Sequence, residues 1–515
     1  MTAGSKTQLY RLANPQTVPM RRLHMLYDIH MDMSRPLYRQ LADEIATQIA
    51  NGILQGGERL TSLRALSTQR GLSLSTVQEA FRVLEDQALV EARPQSGYFV
   101  RRQAPHKPSM PASAPAEIAV DPLLWSYIHE RPEHGITGFR SASPHPDLLP
   151  IAQIQKLMAS CIRHHPEMLS DYGCPGGDEE FKRQIVRKAL EWGGHLEPEN
   201  LVVTQGTIEA LNLALRALTQ PGDVVAVESP TYFALLSCLK TLGLRVIEIP
   251  TDWETGISVE ALELATRNGA VQAVILSANF SNPLGALMPE HAKQRVAQLL
   301  ASRQIPLIED DVYGEFYFGK HRPRPIKAYD DCGNILYCSS LTKNVAPGLR
   351  VGWIEAGRYR AQVEMQKYIG SHSTPRIHQA VLAQFLANGG YARHMRQFRR
   401  QLALHIDAVI DGVARYFPAH TRVTRPQGGF VLWLELEPAF DSVALFHRAK
   451  QEDISIAPGP LFSARGAYRH CLRLSCAVPW NQAQEAKLAR LGALACDLSP
   501  LTHSTARAPT FTSNK

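Results

Sequence analysis

Seven apolar runs constrain the fold most: Leu201–Thr204, Val224–Val227, Arg245–Ile249, Ala273–Leu276, Ile305–Ile308, Ile335–Cys338 and Val351–Ile354. They lack a regular polar alternation, so they read as strands buried on both faces. Helical segments such as Glu209–Leu218 and His291–Arg303 separate several of them. That alternation predicts an α/β layer around a mostly parallel sheet, within a domain spanning 133–497. After Pro375 the texture changes. Long helices at about 377–388 and 391–415 precede strands Phe430–Leu436 and Cys471–Ser475, which predicts a smaller α+β C-terminal lobe at about 376–497. With 515 residues the chain exceeds one compact core, so it is multidomain.

A second pattern precedes the layer. Leu37, Leu41, Ile45, Ile49 and Ile53 recur every fourth residue, as on one helix face ended by Gly52. Ser62 opens a short helix carrying Leu63, Leu66 and Ser67, closed by Gly71. Ser75-Thr76-Val77-Gln78 reads as a capping box opening a third helix, with Val77, Ala80, Phe81, Leu84 and Ala88 on its buried face. Strands Leu89–Arg93 and Tyr98–Arg101 flank the turn Pro94-Gln95-Ser96-Gly97. Three helices and a hairpin predict a winged helix-turn-helix at 33–102, mostly α with a β-wing. Pro36-Leu37-Tyr38, Gly57-Glu58-Arg59-Leu60, Leu63-Arg64-Ala65-Leu66 and Ser96-Gly97-Tyr98-Phe99-Val100 resemble the landmarks of the GntR DNA-binding domain. The resemblance implies double-stranded DNA as partner, with contacts from Arg64, Ser73, Ser75, Thr76, Gln78, Ser96 and Gly97. Each hydroxyl has a competing use as a helix cap, Ser75 above all. Leu74 and Gln78 stand where many family members carry arginine, so base readout and the phosphate contribution are both weaker per subunit. Residues 34–102 carry nine Arg against seven Asp plus Glu, a charge of +2, which favours two copies on two half-sites.

Around these domains lie an N-terminal extension (1–32), a Pro-, Ala- and Ser-rich linker (103–132) and a polar tail (498–515) expected to be disordered. Methionines at 1, 20, 25, 31 and 33 leave room for a later translation start. The net charge of +7 mildly favours an anionic partner. Eight scattered cysteines without a C-x-x-C pair argue against a zinc module or disulfide framework, so no metal is expected and a reducing cytoplasm fits. No run of 18 apolar residues suggests a membrane span, and no secretory signal is visible.

Within the layer, Cys338-Ser339-Ser340-Leu341-Thr342-Lys343 runs on to Arg350. A lysine amine condenses with an aldehyde when its pKa leaves it neutral, and neighbouring hydroxyls and an arginine suit a phosphate. Those needs meet in pyridoxal 5′-phosphate (PLP). The segment and its companions resemble fold-type-I PLP enzymes of the aminotransferase group. The resemblance implies these roles: Lys343 forms the imine. Ser340, Arg350 and the turn Gly206-Thr207-Ile208 hold the phosphate. Asp310 pairs with the pyridine nitrogen, with Asp311 as competing candidate. Tyr313 and Asn282 meet the ring hydroxyl, and Tyr232 stacks on the ring. Tyr172 reaches a partner subunit's cofactor, and Arg473 grips a substrate carboxylate.

A GntR-like domain ahead of such a layer is similar to the MocR subfamily of transcriptional regulators. That implies a homodimer which binds DNA and senses PLP or a small amino compound at Lys343. A working aminotransferase remains the alternative reading, and a scaffold with a dead site is a third.

Overall fold

The computed structural model describes residues 36–50, 54, 58–87, 89–93, 97–100, 122–129 and 138–499. The chain divides into two compact units, Met1–Pro115 and Ala116–Lys515. Ile53, Ala88, Pro94-Gln95-Ser96, Arg101, the N-terminal extension and nearly all of the tail lie outside the described residues.

In the first unit α1 (Leu37–Ala50), α2 (Leu63–Arg70) and α3 (Leu74–Asp86) precede β1 (Val90–Arg93) and β2 (Gly97–Val100). Leu41, Ala42 and Ile45 of α1 meet Val77, Ala80, Phe81 and Leu84 of α3 in one core, closed by Leu60, Val90 and Val100. The hairpin is antiparallel, pairing Val90 with Val100 and Arg93 with Gly97. Leu60 N–H donates to Tyr98 O and Val100 N–H to Glu58 O, so the segment before α2 extends the wing. Ser62 caps α2 as expected, and Gly71 closes it at φ 65°. The cap of α3 is Ser73, not Ser75: its hydroxyl accepts from Thr76 N–H at 3.1 Å. Ser75 already lies inside the first helical turn, whereas an N-cap needs the extended backbone that Ser73 has at ψ 147°.

The second unit is built on an eight-stranded sheet: β3 (Leu201–Thr204), β4 (Val224–Ser229), β5 (Arg245–Asp252), β6 (Gly256–Ile257), β7 (Val271–Leu276), β8 (Leu307–Asp310), β9 (Ile335–Ser340) and β10 (Gly352–Glu355). The order is β3-β10-β9-β8-β7-β4-β5-β6. β9, β8, β7, β4 and β5 run parallel, β10 is antiparallel to both its neighbours, and β6 is antiparallel to β5. The apolar runs are continuous because the sheet has a core on each face. Leu201, Val203, Tyr337 and Trp353 pack into one with Phe181 and Phe385. Their neighbours Val202, Leu336 and Ile354 pack into the other with Ala210, Leu211 and Ala214.

The smaller lobe holds β11 (Arg422–Val423), β12 (Val431–Glu435), β13 (Ala457–Pro458) and β14 (Cys471–Ser475), in the antiparallel order β11-β12-β14-β13. Helices Gly390–Tyr416 and Gln482–Leu498 cover it. A fourth helix, α4 (Pro122–His129), falls within the stretch read as linker. It seats the buried Tyr127 in the core of the smaller lobe. Among the described residues no helix is long and apolar enough to cross a membrane.

Candidate ligand cleft and nucleic-acid face

A cleft of about 210 Å³ opens where the parallel strands end, the place ligands take in open α/β sheets. Chain turns after β3, β4, β7, β8 and β9 supply its walls. After β3 the chain turns at Gly206, φ +86°, into helix Thr207–Leu218. That φ favours glycine, and a Cβ there would lie 2.7 Å from Arg350 Nη2 and push the guanidinium aside. Arg350 donates to Gln205 O at 3.0 Å. Thr207 and Ile208 line the cleft from the helix N-terminus, where free N–H groups favour an anion. The Thr207 hydroxyl is buried without a partner. Together with Arg350 and Thr342, this corner gathers the donors that a phosphate requires.

Lys343 lines the cleft, its Nζ donating to Ala142 O at 2.6 Å. Burial, then Arg473 and Arg350, lower its pKa to about 8, against the opposing effect of Asp310. Asp310 ends β8 and also lines the cleft, accepting from Val312 N–H at 3.2 Å. Burial pushes its carboxyl up to about 7. Asp311 does not reach the cleft. It faces the opposite way, accepting from Asn279 and Tyr337 at 2.8 Å and pairing with Arg322. Tyr232, Asn282 and Tyr313 complete the walls. Tyr313 is fixed against Phe430, ring centres 5.2 Å apart, and Asn282 Oδ1 accepts from Arg473 Nη1 at 3.1 Å.

Residues 143–489 match the family described as aminotransferase class I and II, and residues 37–100 match bacterial regulatory proteins, gntR family. The uncharacterized HTH-type transcriptional regulator YjiR of Escherichia coli is 37% identical over 460 residues, 88% of this chain and 98% of that one. The chain is a MocR-like member of the GntR family. The 2-aminoadipate transaminase of Thermus thermophilus is 29% identical across 71% of this MocR-like chain and 91% of its own length. The crystal structure of LysN, the α-aminoadipate aminotransferase of T. thermophilus, complexed with N-(5′-phosphopyridoxyl)-L-leucine, superposes with a TM-score of 0.67 at 27% identity. It covers 71% of this chain and 93% of LysN. Aminotransferases of class I and II are PLP-dependent, and the orphan Thr207 hydroxyl, the Gly206 cradle and the Lys343–Asp310 pair fit that group.

Three candidate residues of this MocR-like protein do not line its cleft. Ser340 is buried but belongs to β9. Its hydroxyl lies 2.7 Å from that of Thr342, and Thr342, two residues beyond the strand, lines the cleft instead. Arg473 lies just behind the wall and is wholly buried. Tyr172 stands outside this chain's cleft and is 78% exposed. Glu228 was missed: it lines the floor, burial raising its carboxyl to about 8. The signal for it was an acid ending the apolar run of β4.

A GntR domain is a DNA-binding module, and the candidate contacts of this one fall on α2, α3, the residue before α3 and the wing. Arg64, Ser75 and Gln78 are exposed, Thr76 is partly covered, and Gly97 takes φ +98°. Ser73 is committed to its cap and to the hydroxyls of Ser75 and Thr76, at 2.9 and 2.7 Å. Ser96 lies outside the described residues. Arg59 is exposed beside the wing, its Nε 3.6 Å from where a Cβ on Gly97 would sit.

Proposed function

We propose that this chain is a transcriptional regulator which binds double-stranded DNA through its winged helix, as a homodimer, and holds PLP in the cleft to sense a small amino compound. The observation that carries the reading is a lysine amine with a lowered pKa in one cleft with a buried carboxylate and an anion cradle. Thr207, Ile208, Thr342 and Arg350 would hold the phosphate, with Ser340 behind Thr342. Asp310 would face the pyridine nitrogen, Tyr313 and Asn282 the ring hydroxyl, and Tyr232 the ring face. When bound, the cofactor supplies an aldehyde to amines and a ring that takes up negative charge. Asp310 holds a proton at the ring nitrogen, because a carboxylate in a buried site stabilises an adjacent cation. Lys343 keeps its amine in the cleft as the nucleophile, its lowered pKa enlarging the neutral fraction, and the wall formed by Tyr313, Tyr232 and Asn282 would orient the ring. Arg473 receives a ligand carboxylate through its fork. A ligand moves the DNA-binding state only by favouring one arrangement over another. Two copies compensate for the modest charge of one winged helix, and the exposed Tyr172 is available to a second copy.

The amine is reactive only when neutral, so covalent capture of PLP rises with pH around a midpoint near 8. A lysine at the ordinary value of 10.5 would give a midpoint more than two units higher. Timed exposure to PLP at each pH, a borohydride quench at one common pH and intact mass measure it. A midpoint above 10 removes the lowered amine from the account.

The survival of Lys343, Asp310 and Arg473, with the likeness to 2-aminoadipate transaminase, favours a second reading as an aminotransferase. Steady formation of a 2-oxo acid from an amino acid and an acceptor, without any effect on DNA binding, would establish it in place of the first.

A further inference from the structure

Arg473 is enclosed at 0% exposure, yet among the described residues no carboxylate pairs with it. Its partners are neutral oxygens: Asn282 Oδ1 at 3.1 Å, the Tyr127 hydroxyl at 3.2 Å and the Arg140 carbonyl. Its Nε is buried with no partner. A buried guanidinium without a counter-charge is costly, so the arrangement suits a site for an anion. The same stretch of chain also covers the amine. Ala142 O accepts from Lys343 Nζ at 2.6 Å, two residues after the carbonyl on Arg473. Tyr127 is bound into this stretch, its hydroxyl donating to Arg140 O at 2.9 Å with the Arg140 guanidinium 4.2 Å over its ring. The helix that carries it, α4, holds its outer residues Trp125 and Ile128 55% and 47% exposed.

We infer that Tyr127 is a specificity-determining residue, standing on Arg473 where a ligand carboxylate docks, so that the cleft selects amino carboxylates over plain amines and only the former release α4. The inference rests on the reading of the cleft given above. A carboxylate is a stronger acceptor for a guanidinium than a phenol or a carbonyl, so it displaces both. A plain amine reaches Lys343 but leaves Tyr127 in place.

The test uses the full chain and two fixed ligands, N-(5′-phosphopyridoxyl)-L-leucine and its decarboxylated counterpart, N-(5′-phosphopyridoxyl)-3-methylbutylamine. Tyr127→Phe keeps the ring and removes the competing oxygen. It is expected to bind the leucine adduct about 3- to 10-fold more tightly, the worth of one hydrogen bond, and the other adduct unchanged. In the wild-type chain, hydrogen exchange at 122–129 is expected to accelerate with the leucine adduct alone, which keeps the test decisive if the variant does not fold. Equal effects of both adducts overturn the inference. So does weaker binding of the leucine adduct by Tyr127→Phe, since Tyr127 would then be a donor to the ligand. If neither adduct binds the wild-type chain, the reading of the cleft falls, and the inference with it.

Discussion

Lys343→Ala is expected to abolish covalent retention of PLP: after borohydride treatment no cofactor mass remains on the peptide that carries position 343. Lys343 is the one lysine lining the cleft among the described residues, and its lowered pKa makes it the available nucleophile. The cradle of Gly206, Thr207 and Arg350 is untouched by the change, so reversible binding of PLP persists at lower affinity. The DNA face belongs to the other unit, so basal affinity for DNA is expected to persist while any response to amino compounds is lost. Peptide mass mapping with DNA titrations in parallel measures both. Retained cofactor mass on another lysine would place the chemistry elsewhere.

The second large effect is on stability. Arg322→Leu is expected to destabilise the aminotransferase-like unit by about 3–5 kcal/mol, the usual result of breaking a buried ion pair from one side. Arg322 joins two buried acids: its Nη2 bonds Asp311, and its Nε donates to Glu315 at 2.6 Å. Tyr337 completes the group, its hydroxyl 3.2 Å from Arg322 and donating to Asp311 at 2.8 Å. Burial alone would raise the Glu315 carboxyl, but Lys188 and Arg322 hold it down to about 2. The folded value lies below the ordinary 4.5, so this contribution is present above pH 4.5 and is lost as pH falls toward 2. The loss caused by Arg322→Leu should therefore shrink on acidification. Urea titrations at neutral and acidic pH measure it, and a loss that does not change with pH would remove Glu315 from the explanation. The network also bears on function, because it turns Asp311 away and leaves Asp310 as the acid of the cleft.

Much of this was legible in sequence because two-sided burial writes itself as apolar runs, and because Gly206, Asp310 and Lys343 sit at strand ends. Other features depend on geometry that spacing does not encode. Ser340 and Thr342 are both hydroxyls near Lys343, and only the register of β9, pairing Ser340 with Gly352, shows which remains in the strand. Ser73 and Ser75 both look like caps, and the choice turns on where the backbone becomes helical. α4 is too short for a periodic signal and follows a Pro- and Ala-rich stretch, so its burial of Tyr127 is a tertiary effect. β6, β11 and β13 have two residues each and carry no pattern at all.

The central claim is that occupancy of the cleft is reported at the DNA face. The most direct measurement is a footprint of the full-length, PLP-loaded protein on the DNA upstream of its own gene, with and without amino compounds that perturb the cofactor's absorbance. The predicted result is a changed protection pattern, or a shift in half-protection of about 5-fold or more, that Lys343→Ala does not show. Identical footprints with and without a compound bound in the cleft would contradict the account.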